Sequence, residues 1–232
     1  MIPLVKRLKK ERHREIARAQ DLVIEELYRT FEKAVLHGGT SIWRCYKGNR
    51  FSEDIDVYLQ RDINKIRTFF EKLREKDFIV VKKKISDRSI FSDLQFNKTS
   101  VRFEATFRKF RKIRGVLGEY ETSEGNLIIV YTLTPEEIIK EKIETYLKRI
   151  KARDLYDIFF LLRYVKDKRK IKKELRRLVN KFDKLGMPVD KEELKILIIE
   201  GLIPDVEEML QYIKSFYKEL CIKWEKRNIL GL

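Results

Sequence analysis

The chain has 232 residues, 43% hydrophobic and 39% charged, which suffices for a folded core of one large or two small domains and excludes a disordered chain. No apolar run approaches the roughly 20 residues of a membrane span, and the two cysteines, Cys45 and Cys221, form no paired motif; we therefore expect a reduced, cytoplasmic protein without a membrane partner. The net charge of +16 favours a polyanionic partner, most commonly nucleic acid, although the solubility of a lysine-rich protein is the alternative.

The first predicted elements are helices separated by a glycine turn. Apolar residues at helical spacing predict a long amphipathic helix over 11–36, and Ala34–His37 is a short apolar run into Gly38-Gly39. Thr40 is predicted to cap a short helix that runs to about residue 46. A turn of two glycines before a helix exposes backbone N–H groups to which a phosphate can approach closely. The alternative is an ordinary tight turn.

An acidic pair lies in the next element, a predicted strand over 55–59. Asp54 and Asp56 are two residues apart, so on a strand their carboxylates point to the same face. Two such charges at close range repel unless a cation joins them, and Mg²⁺ is usually held by one or two carboxylates plus substrate phosphates. Arg50, just before this strand, is a candidate phosphate contact. For the acidic pair alone, two solvated acids on an edge strand are the alternative.

A helix over 62–76 and three strands over 78–85, 89–96 and 100–107 are predicted next. In the last of these strands, alternation places Arg102, Glu104 and Thr106 on one face and the apolar residues on the other. Glu104 is therefore either an outward-facing strand residue or a third carboxylate, able to bind metal or to accept a proton from an attacking hydroxyl.

A basic segment follows, RKFRKIR over 108–114, with five basic residues in seven. Beyond it, one more strand is predicted over 127–133, and from Thr134 the pattern is helical almost to the end. These elements predict an α/β (α+β) fold in two domains. Residues 1–133 are predicted to be a mixed α/β core, and residues 134–232 an all-helical C-terminal domain.

The helix that begins at Thr134-Pro135 carries a lysine in its apolar stripe. Lys142 lies four residues from both Ile138 and Tyr146, and an inward lysine needs an anion, either a buried acid or a nucleotide phosphate. The next helix carries Asp154 and Asp157, three residues apart on one side. Asp154 can cap its helix, whereas Asp157 is a candidate to orient Lys142 or a catalytic water. Arg153 adds a possible phosphate contact.

A second basic segment, 168–181, has eight basic residues and one acidic residue. Its apolar residues lie at helical spacing, so its remaining faces are nearly all positive. Together the two basic segments are predicted to bind a polyanion, through the nucleic-acid contacts Arg108, Lys109, Arg111, Lys112, Arg114, Lys172, Lys173 and Arg176.

Four motifs together resemble the AbiEii/AbiGii toxin-like family of nucleotidyltransferases, which belongs to the DNA polymerase β-like superfamily. They are GGT (38–40), RFSEDIDVYL (50–59), VRFEATF (101–107) and LTPEEIIKEKIETYLKRIKARDLYDIFFLL (133–162). The resemblance implies a polymerase β-like nucleotidyltransferase core with a mixed sheet, and metal-binding acids at Asp54 and Asp56. It also implies that Lys142 is the motif lysine and that Asp154 and Asp157 fall in the last motif.

Some members of that family transfer nucleotides to the acceptor end of tRNA and act as toxins paired with an antitoxin. The chain departs from the superfamily pattern in having Glu104 where many members have aspartate, and Gly-Gly-Thr in place of Gly-Ser. The expected function is therefore a Mg²⁺- or Mn²⁺-dependent transfer of NMP from an NTP to an RNA such as tRNA, with a cognate antitoxin as a further partner. The alternatives are a small-molecule or protein acceptor on the same fold, and a non-catalytic nucleic-acid-binding relative.

The expected site residues follow from the motifs and the resemblance together. The expected metal ligands are Asp54, Asp56 and Glu104. These three, with Lys142 and Asp157, form the expected catalytic set. The expected nucleotide contacts are Gly38, Gly39, Thr40, Arg50, Lys142, Arg153 and Asp154.

Overall fold

The computed structural model describes residues 3–109 and 115–229, with side chains as far as Ile222. The chain forms two compact units, Met1–Leu133 and Thr134–Leu232. Within the described ranges, every helix is too short or too polar to cross a lipid bilayer.

The first unit is built on a mixed sheet, which has seven strands in the part of the chain that the structure describes, in the order β3-β4-β5-β2-β1-β7-β6. β1 pairs in parallel with β7, and β2 pairs in parallel with β5, while the other neighbouring pairs are antiparallel. The strands are β1 (Val35–His37), β2 (Ile55–Leu59), β3 (Ile79–Ile85), β4 (Ser89–Phe96), β5 (Thr99–Phe107), β6 (Val116–Glu121) and β7 (Leu127–Thr132).

Helices cover one face of this sheet, and the other face of its β4, β5 and β2 strands carries mostly polar side chains. Phe69 packs against Phe103 of β5, with ring centroids 5.1 Å apart, and the apolar residues of β2 and β5 that point the same way are buried. Alternation along each strand then turns the intervening residues to the opposite face. The helices described in this unit are α1 (Leu4–Arg7), α2 (Glu11–Thr30), α3 (Gly38–Cys45) and α4 (Ile63–Glu75).

The second unit is made of helices around a buried apolar centre. α5 begins as predicted, because the Thr134 hydroxyl accepts a hydrogen bond from the Glu137 N–H at 3.3 Å and Pro135 occupies the first turn. The helices are α5 (Pro135–Arg149), α6 (Ala152–Leu161), α7 (Lys172–Val179), α8 (Lys191–Leu197) and α9 (Val206–Ile229), with short 3₁₀ turns at Leu162–Tyr164 and Lys168–Ile171.

The predicted mixed α/β fold is confirmed, but four local features differ from the prediction. α2 ends at Thr30, and Val35–His37 is a central strand, because its apolar residues pair with β2 and β7 instead of continuing the helix. α3 begins at Gly38, so Thr40 lies inside the helix and does not cap it. The edge strand Val116–Glu121 was not predicted. In the second basic segment, a 3₁₀ turn precedes the helix Lys172–Val179.

Candidate active site

Three carboxylates lie together on the open face of the sheet. Asp56 on β2 is directly opposite Glu104 on the parallel strand β5, and Asp54 lies two residues before Asp56. The Arg102 guanidinium contacts two of them, with Nη1 3.7 Å from both Asp54 Oδ2 and Glu104 Oε1. The predicted alternation of β5 is therefore observed, and Asp54 and Glu104 share a contact with one positively charged side chain, Arg102.

The pKa of Glu104 depends on its burial and on the charge of the neighbouring acids. Burial raises the pKa of its carboxyl above the usual range, and the negative charge of Asp56 raises it further. Arg102 acts in the opposite direction, while Asp54 and Asp93 add to the increase. The contributions of Asp56, Asp54 and Asp93 reflect a negative potential at Glu104, which a cation would offset.

The glycine turn lies directly against the acidic strand. Gly38 has a φ of +70°, and a Cβ atom at this position would overlap the Asp56 carboxylate. A Cβ atom at Gly39 would lie only 2.5 Å from Ser52 Oγ and 2.6 Å from Arg50 Nη2. A side chain is therefore disfavoured at Gly38 by the Asp56 carboxylate, and at Gly39 by the side chains of Arg50 and Ser52, which precede the acids.

Two buried polar side chains hold the segment that carries Asp54. The Thr40 hydroxyl donates a hydrogen bond to the Asp54 carbonyl, and Thr40 is fully buried. Gln20 of α2, also fully buried, donates to the carbonyls of Ser52 at 2.9 Å and Glu53 at 3.1 Å. Since the Thr40 side chain is committed to this contact, any phosphate contact at the turn falls to the backbone and not to its hydroxyl.

A buried arginine continues this network. Arg44, only 1% exposed, donates to the Gln20 side-chain oxygen at 3.3 Å and to the Ala17 carbonyl at 2.9 Å. Its charge is balanced by Asp21 at 3.3 Å, and its guanidinium lies 4.0 Å from the centre of the Trp43 ring. The network therefore joins α2 and α3 to the approach of the acidic strand.

An aromatic stack lies beside the carboxylates, where His37 of β1 is opposite Asp56 of β2. The His37 ring, immediately before the glycines, stacks on Tyr58 with centroids 3.9 Å apart. The Arg108 guanidinium lies 3.6 Å from the centre of the Tyr58 ring and donates to its hydroxyl at 2.7 Å. Arg108 is thus fixed at the end of β5, next to exposed Lys109.

In the second unit, the predicted inward lysine is paired with acids. Lys142 Nζ lies 2.7 Å from Asp157 Oδ2 and 3.4 Å from Asp154 Oδ1, and both aspartates are fully buried. Arg149 donates twice to Asp154, at 2.6 and 2.8 Å. Asp154 therefore does not act as a cap, since Lys151 is the N-cap residue and Asp154 lies inside α6. Two positive and two negative charges balance in this cluster.

The remaining predicted residues are on the surface or outside the described ranges. Arg153 is half-buried on α6, Lys172 is half-buried on α7, and Lys173 and Arg176 are exposed there. The predicted stripe below them is buried, as helical spacing requires; it consists of Ile171, Leu175, Leu178 and Phe182. Three predicted nucleic-acid contacts lie outside the described residues: Arg111, Lys112 and Arg114.

The predictions missed Gln20 and Arg44, which support the acidic segment. Gln20 interrupts the apolar stripe of α2, four residues from both Ile16 and Ile24. The same signal singled out Lys142, so it was available for Gln20. Arg44 has no such signal, because its partners are two backbone carbonyls and side chains of α2 whose positions depend on the tertiary fold.

The oxygen-only donor set fits a hard divalent cation, with substrate as the remaining ligand. Within residues 3–109 and 115–222, no three His, Cys, Asp or Glu side chains form a ready-made metal cage. Mg²⁺, however, usually takes one or two carboxylates plus phosphates and waters. The pair Asp54 and Asp56, with Glu104 on the adjacent strand, meets that requirement and already draws Arg102 into contact.

Comparison with known proteins identifies relatives of this arrangement. Residues 25–219 match the family described as nucleotidyl transferase AbiEii toxin, Type IV TA system. The fold is similar to that of JHP933 from Helicobacter pylori, with a TM-score of 0.64 and 19% identity over 96% of this chain and 99% of that one. It is also similar to a candidate nucleotidyltransferase from H. pylori, with a TM-score of 0.61 and 21% identity over 94% and 98%. No curated protein matches significantly.

Proposed function

The chain belongs to the AbiEii family of nucleotidyl transferase toxins, and on that premise we propose that it moves an NMP from an NTP to an RNA acceptor such as tRNA. It is a nucleotidyltransferase with a polymerase β-like mixed sheet and a helical C-terminal part. The observation that carries the proposal is the juxtaposition of Asp54, Asp56 and Glu104 on one open sheet face beside a glycine turn.

We propose that Asp54 and Asp56 hold Mg²⁺ or Mn²⁺, and that Glu104 completes the site. A divalent ion supplies charge neutralisation for the triphosphate and activates an attacking hydroxyl. Glu104 is the proposed acceptor of the proton of that hydroxyl, and burial and the charge of Asp56 raise its pKa above the ordinary value, which favours proton acceptance. In this reaction the acceptor oxygen bonds to the α-phosphorus as the bond to pyrophosphate breaks.

The backbone of Gly38 and Gly39 is the proposed binding site of the triphosphate. Their N–H groups lie in the first turn of α3, where such groups have no helical partner and attract anions. Arg50, packed behind Gly39, adds positive charge there, and buried Thr40 shapes the turn through Asp54.

In the second unit, Lys142 is the proposed phosphate ligand. Its ammonium has three N–H donors, and Asp157 and Asp154 account for two of them. We propose that both aspartates orient Lys142 and that its third donor, together with Arg153, meets the nucleotide.

The basic surfaces are the proposed binding site for the acceptor. Exposed Lys173 and Arg176 on α7, with half-buried Lys172, form a positive face above a buried apolar stripe. Arg108 and Lys109 add positive charge at the end of β5. A polyanionic acceptor gains from both, whereas a small or cationic acceptor does not. As the family description is that of a toxin, we also propose a cognate antitoxin as a partner.

The test is incubation of the protein with each α-labelled NTP, Mg²⁺ and total tRNA. Transfer of label to tRNA is expected, and it should be lost with EDTA and in Asp54→Ala and Asp56→Ala. As a matched control, Asp87→Ala removes an exposed acid of the same unit and should transfer normally. Undiminished labelling by Asp56→Ala would refute the assignment of the metal site.

A salt titration separates the acceptor classes. Binding to tRNA should weaken steeply with salt, and substitution of Lys172, Lys173 and Arg176 by alanine should reduce the slope of log K against log salt by about 2. Label transferred to protein or to a small molecule, with none on RNA, would favour the alternative acceptors.

A further inference from the structure

A lateral row of side chains crosses the open face of the sheet from the carboxylates to its edge. Asp56 on β2 lies opposite Glu104 on β5, and Glu104 lies opposite Phe91 on β4. Phe91 in turn lies opposite Lys84 on the edge strand β3. Opposite residues in paired strands share a face, and neighbouring strands are about 4.8 Å apart. Phe91 is therefore about 5 Å from Glu104 and about 10 Å from Asp56, measured between strands.

Phe91 is an aromatic residue on the polar face. Its neighbours Ile90 and Ser92 point to the opposite, helix-covered face and are buried, whereas Phe91 is only half-buried. Lys82 Nζ lies 5.2 Å from the centre of its ring, and Arg102 Cζ lies 5.9 Å from it. Among the residues with described side chains, no other aromatic ring stacks on Phe91, so core packing does not account for its position.

The edge strand supplies positive charge on the same face. Lys82 lies opposite Asp93 and Lys84 opposite Phe91, so both lysines share the face of the carboxylates, and both are exposed. Lys83 points to the other face, where its Nζ lies 5.0 Å from the centre of the Phe70 ring. Lysines on an edge strand discourage that strand from pairing with the edge strand of another sheet. That role does not explain an aromatic ring between them and the catalytic acids.

We propose that Phe91, Lys82 and Lys84 form the subsite for the 3′-terminal nucleotide of the RNA acceptor. The Phe91 ring stacks on the terminal base, and the two ammonium groups contact the adjacent phosphates. The inference rests on the proposed function, because it takes RNA as the acceptor. A base on Phe91 is one to two strand spacings from the carboxylates, a distance that the ribose of the same nucleotide bridges.

The chemistry of the subsite matches single-stranded RNA. Aromatic rings interleaved with lysines bind single strands by stacking and by contact with the backbone. Stacking tolerates any base, since every base has a π-face, so the subsite fixes the position of the 3′ end without reading its sequence. Lys84 lies on the far side of the ring from Glu104 and Asp56, which suits a phosphate that must be kept apart from those carboxylates. Lys82 lies opposite Asp93, whose carboxylate shares this face.

Fluorescence of a terminal base tests the stacking. The probe is a single-stranded oligoribonucleotide that ends in 2-aminopurine, whose emission is quenched on stacking. Phe91→Ala should weaken binding roughly 5- to 150-fold, the range that base–aromatic stacking spans, and should relieve the quenching. Phe91→Tyr should restore both, whereas Phe91→Leu, which keeps the apolar volume and protects the fold, should not.

A lysine pair with an internal control tests the phosphate contacts. Lys82→Ala/Lys84→Ala should lower the slope of log K against log salt by about 1.4, since each phosphate contact on a single strand contributes about 0.7. Lys83→Ala removes an equal charge from the same strand but from the opposite face, and should leave the slope unchanged. Equal effects of all three lysines would overturn the proposed face.

Kinetics separate this inference from the proposed function. In Phe91→Ala the KM for the RNA acceptor should rise, while the Kd for Mg²⁺–NTP stays that of the wild type. If Phe91→Ala keeps the acceptor KM while Asp56→Asn abolishes transfer, the subsite is refuted and the proposed function stands. If Phe91→Ala weakens NTP binding as much as RNA binding, the ring serves the donor and the subsite is refuted. A wild-type protein that neither binds nor labels RNA would refute both.

Discussion

The Asp56 carboxylate lies against the α-carbon of Gly38, in the space that a side chain at residue 38 would fill. This contact joins the turn proposed to hold phosphate to the strand proposed to hold metal. The contact has a sequence requirement, because Gly38 also has a φ of +70°, in the left-handed region that costs other residues roughly 1–2 kcal/mol.

Gly38→Ala should therefore inactivate the enzyme with only a moderate loss of stability. The added methyl group displaces the Asp56 carboxylate, and a displacement of about 1 Å at a reacting centre can lower the rate 100-fold. The measurement is labelled NMP transfer alongside urea unfolding. Gly186→Ala is the matched control, as a Cβ atom at Gly186 meets no atom within 4 Å. Full activity in Gly38→Ala would contradict the proposed role of the turn.

Gln20→Leu should lower both stability and turnover, although Gln20 touches no proposed substrate. The Ser52 and Glu53 carbonyls lose their donor, which costs about 1–3 kcal/mol for a buried acceptor. Released from α2, the segment before Asp54 shifts, so kcat should fall while the KM for NTP changes little. Gln60→Leu, at an exposed position, serves as the control. An unchanged kcat in Gln20→Leu would show that the network is structural only.

The polar side chains that interrupt apolar patterns could be predicted from the sequence, since periodicity fixes their face without knowledge of the tertiary fold. Alternation placed Arg102 and Glu104 together on β5, and helical spacing turned Lys142 inward. Both predictions rest on local geometry, which a strand or helix imposes on its own residues.

The partners of those side chains could not be predicted, because they depend on register and on contacts distant in sequence. The inward position of Lys142 predicted an anionic partner. Periodicity alone did not distinguish a phosphate from the two buried aspartates that the structure shows. The apolar run before Gly38 suited a helix as well as a strand, and pairing with β2 and β7 decided it. Arg44 contacts the Ala17 and Glu121 carbonyls and the side chains of Gln20 and Asp21, and no periodicity in the sequence brings these groups to it.

The Lys142–Asp157 pair allows a structural role to be separated from a catalytic one. Lys142→Met removes the ammonium group that lies 2.7 Å from the fully buried Asp157 carboxylate, so the free energy of unfolding should fall by about 3–5 kcal/mol. Lys148→Met, at an exposed position on the same helix, should change it little. The measurement is urea unfolding of the full chain.

A double variant completes the test of this pair. Lys142→Met/Asp157→Leu replaces both charged side chains of the pair by apolar ones, so it should recover part of the stability that Lys142→Met loses. Transfer activity should nevertheless stay absent, because the proposed phosphate contact is gone. Recovery of activity together with stability would mean that Lys142 acts on the fold alone.

The start of α5 should make the stability of the second unit depend on pH. Glu136 is buried, and its carboxylate accepts hydrogen bonds from the Lys166 N–H at 2.8 Å and the Asp167 N–H at 3.0 Å. Burial by itself would raise the pKa of Glu136. The N–H groups that face the carboxylate outweigh burial and hold the pKa below its ordinary value of 4.5.

A carboxyl whose pKa is lower in the folded than in the unfolded state adds stability above the unfolded value, and this stability is lost as the pH falls through the folded value. Glu136→Gln keeps an acceptor oxygen but does not titrate. The wild type should therefore lose more free energy of unfolding than Glu136→Gln between pH 7 and a pH below 4.5. Hydrogen exchange of the Lys166 and Asp167 amides supplies the local measurement, and their protection should fall with pH in the wild type alone. Equal losses in both proteins would show that these bonds do not depend on the charge of Glu136.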